Sequence, residues 1–261
     1  MKSDYHMHTS FSKDCNIPME KMIIKAISLN MEEICFTDHV DYGLEVKDNC
    51  DYPSYFLKLC ELKEKYKDKI TIKQGIEFGV QTHTIDKYVK DTNEYDFDFI
   101  LLSVHQIDNL EFSNQAFQKN KTQEEINILY YKYLLKIVQS YKEYSVLAHL
   151  DVIKRYDKFG VYPDDKVMSI IDEILKTVIK DQKGIEVNTK SFKFGLNDLM
   201  PSTKILTRYN ELGGKIVTIG SDAHHRARIY DNFENTIEQL KEIGFTHHCT
   251  FDKLKPIFHQ L

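Results

Sequence analysis

The chain is poor in the features that would give it a disulfide framework, a membrane span or a nucleic-acid footprint. Its 261 residues carry five cysteines (Cys15, Cys35, Cys50, Cys60 and Cys249), scattered, odd in number and never spaced C-x-x-C. That argues against a disulfide scaffold and a cysteine-rich zinc site, and it fits a reducing, cytoplasmic setting. No apolar run reaches the roughly 18 residues that would span a bilayer. The N-terminus lacks a basic segment followed by an apolar stretch, so no signal peptide is expected. Positive charge is in deficit, 35 Lys and Arg against 40 Asp and Glu for a net charge of -5. Such a chain has no general attraction for nucleic acid or acidic membranes, and an anionic substrate must be drawn by metal ions or a few local basic residues. No repeat, low-complexity segment or Pro/Gly/Ser linker interrupts the sequence, so a single domain over 1–261 is expected. No serine-centred nucleophile motif or phosphate-binding P-loop is present either.

What recurs instead is a short strand followed by an amphipathic stretch. The first strand, Lys2 to Thr9, contains His6-Met7-His8; with a side-chain period of two, both imidazoles leave one face. Pro18 opens a helix to about Asn30, Glu33 to Phe36 is a strand leading to Asp38-His39, and Pro53 opens the next helix. Ile70 to Ile76 reads as a strand ending at Glu77, and Phe99 to Val104 as a strand buried on both faces ending at His105. Gln106 to Thr122 is the longest loop candidate, a length usually associated with function. Further strands end at His149, at Asn188 and at Ser221-Asp222-Ala223-His224. Helices are expected over Gln123 to Tyr141, Asp164 to Lys180, Ser202 to Leu212 and Asn232 to Ile243.

The strand ends line up chemically. Six of the eleven histidines, with Asp38, Glu77 and Asp222, fall one strand-plus-helix unit apart. Alternating strand and helix implies a parallel sheet, and a parallel barrel gathers all strand C-termini at one mouth. Imidazole and carboxylate together suit zinc, iron, manganese or cobalt. The set exceeds what one ion uses, so two or three ions sharing a carboxylate are expected. His83, His225, His247, His248 and His259 lie outside the pattern and are read as surface residues.

These motifs, H-x-H, T-D-H, G-I-E, S-V-H, L-A-H and S-D-A-H, resemble those of the polymerase and histidinol phosphatase (PHP) family. The resemblance runs from His6 to His224 and implies a distorted (β/α)7 barrel of the α/β class with a trinuclear metal centre. Carried over, one ion takes His6, His8, Glu77 and Asp222. A second shares Glu77 and adds His105 and His149. A third takes His39, His224 and Asp14; several family members have histidine at that last position. The metals implied are divalent, zinc, manganese or iron, with no organic cofactor.

His105-Gln106-Ile107-Asp108 and Gly184-Ile185-Glu186-Val187-Asn188-Thr189 are similar to the histidinol-phosphate phosphatase branch. That implies a phosphomonoesterase of histidine biosynthesis acting on a small phosphorylated substrate. Water would attack phosphorus in line while metals and basic residues hold the other oxygens. Glu77 and His39 belong to the catalytic centre, and Asp38 or a water on a metal protonates the leaving alkoxide. Arg155, Lys193 and Arg226 are the candidates to clamp the phosphate, arginine by two-point hydrogen bonding. Two other readings stay open: a nucleotide or cyclic-phosphate phosphoesterase, and a non-catalytic metal-binding module. The first would lack an acidic group for the histidinol amine.

Overall fold

The structure is a computed structural model that describes residues 1–43 and 49–261. Its strands are β1 (Ser3–Met7), β2 (Glu33–Phe36), β3 (His39–Val40), β4 (Thr71–Gly79), β5 (Phe99–Ser103), β6 (Gln106–Ile107), β7 (Leu110–Glu111), β8 (Val146–Leu147), β9 (Gly184–Asn188), β10 (Val217–Gly220), β11 (His247–Asp252) and β12 (Lys255–Gln260). The helices are α1 (Met19–Ser28), α2 (Tyr52–Tyr66), α3 (Ile85–Glu94), α4 (Gln123–Ser140), α5 (Met168–Lys180), α6 (Thr203–Glu211) and α7 (Phe233–Ile243).

Each helix forms for local reasons and buries one stripe. An Asp51 carboxylate caps α2 by accepting from Ser54 N–H, with Pro53 in the first turn. Thr122 and Glu125 form a reciprocal capping box at the start of α4. The α1 stripe is Met19, Met22, Ile23 and Ala26, and the α5 stripe is Ile171, Ile174, Leu175 and Val178. Burying aliphatic side chains of this size contributes about 1.5–3 kcal/mol each, which outweighs the helix propensity of any one residue.

The parallel strands pair in the order β1-β2-β4-β5-β8-β9-β10, with β3 added alongside β4. A parallel bridge between Met7 and Ala223 brings β10 back beside β1, and His8 N–H donates to the Ala223 carbonyl at 3.0 Å. The result is a nearly closed barrel of seven parallel strands, the expected (β/α)7 architecture.

The end of the barrel opposite the strand C-termini is stoppered by the antiparallel β11–β12 hairpin. Cys249 and Phe251 from that hairpin pack with Tyr5, Cys35, Phe99, Leu101, Val146 and Ala148 in a small separate cluster. The Tyr5 hydroxyl donates to the Glu33 carboxylate and accepts from Phe251 N–H at 2.9 Å.

Three local features differ from the sequence expectation. Within Gln106–Thr122 lies a tight β6–β7 hairpin whose turn residues Asp108 and Asn109 have φ of 50° and 62°, the backbone a type I′ turn requires. The register of β1 against β2 shifts between Asp4 and Met7; this bulge lets Tyr5 join the stopper cluster while His6 and His8 still face the mouth. His248 is not a surface residue but lies buried on β11, 5% exposed.

Candidate metal centre

The strand ends converge as a set. Glu77, at the mouth end of β4, is fully buried. Its Oε2 lies 3.2 Å from His6 Nε2, 3.5 Å from His8 Nε2 and 3.0 Å from His39 Nδ1. Its Oε1 lies 3.2 Å from His105 Nε2 and 2.9 Å from His149 Nε2, and accepts from the Ser103 hydroxyl at 2.6 Å. One carboxylate thus faces five histidines from four strand ends, two groups on two oxygens. Asp222 Oδ1 is 3.5 Å from His8 Nε2 and 3.4 Å from His224 Nδ1. Asp14, on the turn after β1, is 2.9 Å from His224 Nε2 and 3.8 Å from His39 Nε2.

Four overlapping triplets have donor atoms close enough to share an ion: His6/His8/Asp222, His6/Glu77/His149, His39/Glu77/His105 and His8/His39/His224. The donors themselves test whether cations fit. His6 Nε2 and His8 Nε2 face each other at 3.0 Å, a buried pair that at most one proton can bridge. His149 Nδ1 is buried without a hydrogen-bond partner among the described residues. Nitrogen lone pairs packed this closely around carboxylates suit divalent transition metals, with mixed N/O ligation as zinc, iron and manganese accept.

The electrostatics agree. Burial alone would raise the Glu77 carboxyl, yet His6, His39 and His105 hold it well below the usual carboxylate range. Burial would likewise raise Asp222, but Lys190, His6 and Arg155 keep it ionised. His8 is pushed well below its ordinary value by burial and by its neighbours His224 and His39, so it stays neutral with a free lone pair.

Outer partners orient the imidazoles, and the sequence reading missed their roles. Glu186 Oε1 sits 2.5 Å from His6 Nδ1, and its other oxygen accepts from His149 N–H at 2.9 Å. Asp41 Oδ1 is 2.8 Å from His105 Nδ1. Carboxylates behind metal-binding histidines fix tautomer and ring angle; the G-I-E-V-N motif held that signal in Glu186, two residues before Asn188 on β9. His149 and Asp222 have φ of 23° and 51°, a backbone cost that clusters at functional sites.

The site opens into a cleft of about 670 Å³ whose walls include Glu77, His105, Arg155, Tyr156, Lys190 and Glu111. Arg155 sits on a 3-10 turn (Val152–Tyr156) just past the His149 strand end. It does not reach freely into the cleft: Nη1 donates to Asp222 Oδ2 at 2.9 Å and Nη2 to Asn188 Oδ1 at 2.7 Å. Lys190, one residue after Thr189, donates to Asp222 Oδ1 at 2.8 Å.

Three expected participants lie elsewhere. Lys193 and Arg226 are exposed and are not among the described residues lining the cleft. Lys193 is one 3-10 turn beyond Lys190 on the Thr189–Phe194 segment, and that advance carries it out to solvent. Asp38 is fully buried and also outside the cleft lining. Its oxygens accept from Thr9 N–H, the Thr9 hydroxyl and the Ser12 hydroxyl at 2.7, 2.8 and 2.6 Å. Asp38 therefore holds the turn that follows β1 instead of facing a leaving group.

Comparison with known proteins agrees with this geometry. The PHP domain profile matches residues 4–190. The histidinol-phosphatase of Lactococcus lactis is 32% identical, over 97% of this chain and 96% of its own. A probable histidinol-phosphatase of Clostridium acetobutylicum is 30% identical, over 100% of this chain and 97% of its own. The crystal structure of the Lactococcus lactis histidinol phosphate phosphatase, in complex with zinc, L-histidinol and phosphate, superposes with a TM-score of 0.89, covering 98% of both chains. The chain belongs to the PHP domain family, in the branch of the relatives named histidinol-phosphatase.

Proposed function

We infer that the protein hydrolyses L-histidinol phosphate to L-histidinol and phosphate, a step of histidine biosynthesis, with two to three divalent metal ions at the barrel mouth. The observation that carries the reading is Glu77, whose two oxygens face five imidazoles from four strand ends inside a cleft that also holds basic groups. We assign His6, His8, Glu77 and Asp222 to one ion, Glu77, His105 and His149 to a second, and His39, His224 and Asp14 to a third. Zinc, manganese and iron all suit these donors.

Divalent ions bound there supply Lewis acidity toward phosphoryl oxygens and bring the pKa of water toward about 7. The chain's own groups do the rest. Ser103 fixes the Glu77 carboxylate by its hydroxyl, and Glu186 and Asp41 fix His6 and His105. Arg155 and Lys190 put two cations on the wall beside Asp222, where a phosphate dianion competes for their donors. Because both also hold Asp222, phosphate capture and ligand positioning are coupled. On the same cleft lies Glu111, anchored by Asn114 Nδ2 at 2.9 Å; it is the acidic group that a histidinol ammonium needs.

The whole chain, 1–261, is read as one unit, since the C-terminal hairpin stoppers the barrel that β1 begins. The five cysteines are free, in keeping with a reducing cytoplasm. Among the described residues no helix is long and apolar enough to cross a membrane.

The test is phosphate release by metal-loaded protein from histidinol phosphate and from nucleoside monophosphates. Histidinol phosphate is expected to lead by at least about 100-fold in kcat/KM, the scale of discrimination that a paired polar contact supports. Equal rates, or a preference for nucleotides, would overturn the assignment.

A further inference from the structure

The β6–β7 hairpin is a wall with two faces. Its cross-strand pairs are Gln106 with Glu111 and Ile107 with Leu110, so side chains alternate between its sides. Gln106 and Glu111, together with the turn residue Asn109, line the catalytic cleft. Ile107 and Leu110 line a second depression of about 360 Å³ between the hairpin and α4. The floor of that depression is completed by Phe117, Leu129 and Tyr133, and Leu110 and Leu129 are 41% and 44% exposed. Both side chains thus offer open apolar surface within one depression, a surface that an apolar ligand can cover.

The rim is basic. Lys121, Lys132 and Lys136 border the depression, and Asp108 on the hairpin turn is the acid among its described lining residues. Lys132 and Lys136 stand four residues apart on α4, exposed, with no ion pair or hydrogen bond to either among the described residues. Like charges at that helical spacing repel, and among the described residues no carboxylate is ion-paired with either lysine. An anion bound between them would relieve that repulsion. The chain's overall charge of -5 makes such a local positive rim the more selective.

We propose that this depression is a second ligand site, for a small molecule with an apolar or aromatic body and a single anionic group, and that its occupancy acts on the catalytic cleft through the β6–β7 hairpin. The apolar body lies on Ile107, Leu110 and Leu129, and the anion meets Lys132 and Lys136. A ligand pressing on Ile107 and Leu110 shifts the strand pair that carries Gln106 and Glu111, so it changes how the cationic end of the substrate is held. Substrate affinity responds more than the metal centre, most of whose ligands stand at the barrel strands, while the His105 ring, just before β6, is held from behind by Asp41. This coupling rests on the assignment of Glu111 to the substrate ammonium; the binding site itself does not.

The probe is 8-anilinonaphthalene-1-sulfonate, an aromatic sulfonate whose fluorescence reports binding, titrated into the metal-loaded protein alongside the neutral N-phenyl-1-naphthylamine. The sulfonate is expected to bind saturably at one site per chain, and the Lys132→Gln/Lys136→Gln double variant to weaken it about tenfold, the loss expected for two charge-assisted contacts at a solvent-facing rim. The neutral analogue should bind parent and variant equally. Leu129→Asp, which puts a carboxylate on the floor, should abolish sulfonate binding. Saturating sulfonate should then change KM for histidinol phosphate with kcat within about twofold, since only a binding contact is altered. Sulfonate binding that the double variant leaves unchanged, or that the neutral analogue shows with the same sensitivity, would overturn the site. Binding that follows the lysines while KM stays constant would overturn the coupling. A protein that binds sulfonate as expected but releases no phosphate from histidinol phosphate would overturn the functional assignment and leave the site standing.

Discussion

Glu77 is the residue on which the centre turns, because both of its oxygens are engaged from different sides. Glu77→Gln keeps the shape and removes the charge that would offset two cations. Metal content per chain, measured by elemental analysis, should fall by at least one ion, and kcat by about a thousandfold or more as water activation is lost. Activity within about tenfold of the parent would contradict a bridging role, since outer-shell changes alone commonly cost 10–100-fold. Glu111 poses a different kind of test. If it receives the substrate ammonium, Glu111→Gln should lower kcat/KM for histidinol phosphate about 5- to 10-fold, chiefly through KM, after allowing for its partial exposure. Turnover of p-nitrophenyl phosphate, which carries no amine, should be unaffected. Loss of both activities together would instead make Glu111 a structural residue. Arg155 belongs to the same scale: its bond to Asp222 means that Arg155→Ala should reduce metal content as well as phosphate affinity, which elemental analysis and phosphate inhibition would read separately.

Among the elements, the β11–β12 hairpin carries a pH dependence of its own. His248 on β11 is pushed down to about 4 by burial, by the N-terminal ammonium and by His259. An unfolded chain protonates that ring near its ordinary value of about 6.5. Between those two values the unfolded state binds more protons, so stability must fall as pH drops through the window. The full effect, about 3 kcal/mol, is reached below pH 4. His248→Gln removes the titration, and denaturant melts of chelated parent and variant should converge or cross as pH is lowered from 7 to 4. Parallel curves would mean that His248 remains open to solvent. Tyr5, which ties this hairpin to β2 through Glu33, explains why an element so late in the chain is held against the first strand.

For the molecule as a whole, the metals tie together strands that close the barrel. The proposed ligands come from β1 and the turn after it, from β3 and β4, and from the ends of β5, β8 and β10, so ions that bind only the folded state must stabilise it. At free metal about a hundredfold above Kd, one ion adds about 2.7 kcal/mol. In a chain of this size that corresponds to about 5–10 °C in Tm. Scanning calorimetry with and without a chelator should show that loss, restored by zinc or manganese. An unchanged Tm would mean that the cluster is held by hydrogen bonds alone.

Much of this protein was legible in its sequence because its chemistry sits at strand ends and its elements have short periods. His6-Met7-His8 on a strand, Glu77 after a strand and Asp222-Ala223-His224 after the last parallel strand are local patterns, and local patterns suffice to predict a barrel mouth rich in ligands. The amphipathic stripes of α1 and α5 follow from the same kind of regularity. Other features depend on residues far apart in the chain, and spacing cannot reveal them. Glu186 and His6 meet over Gly220 of β10, from the strands on either side of it, and Asp41 and His105 meet over Gly79 at the end of β4. Arg155 turned out to be bonded to Asp222, 67 positions away. Whether Lys190 or Lys193 faces the cleft depended on one turn of 3-10 helix, and the fate of Asp38 on a hydroxyl cluster from Thr9 and Ser12. The burial of His248 required the hairpin to fold back under β1. Strand and helix come from interactions along a few residues, so the sequence determines them nearly alone. The direction of a buried charge is decided by which distant groups satisfy it, and only tertiary packing brings those groups within reach.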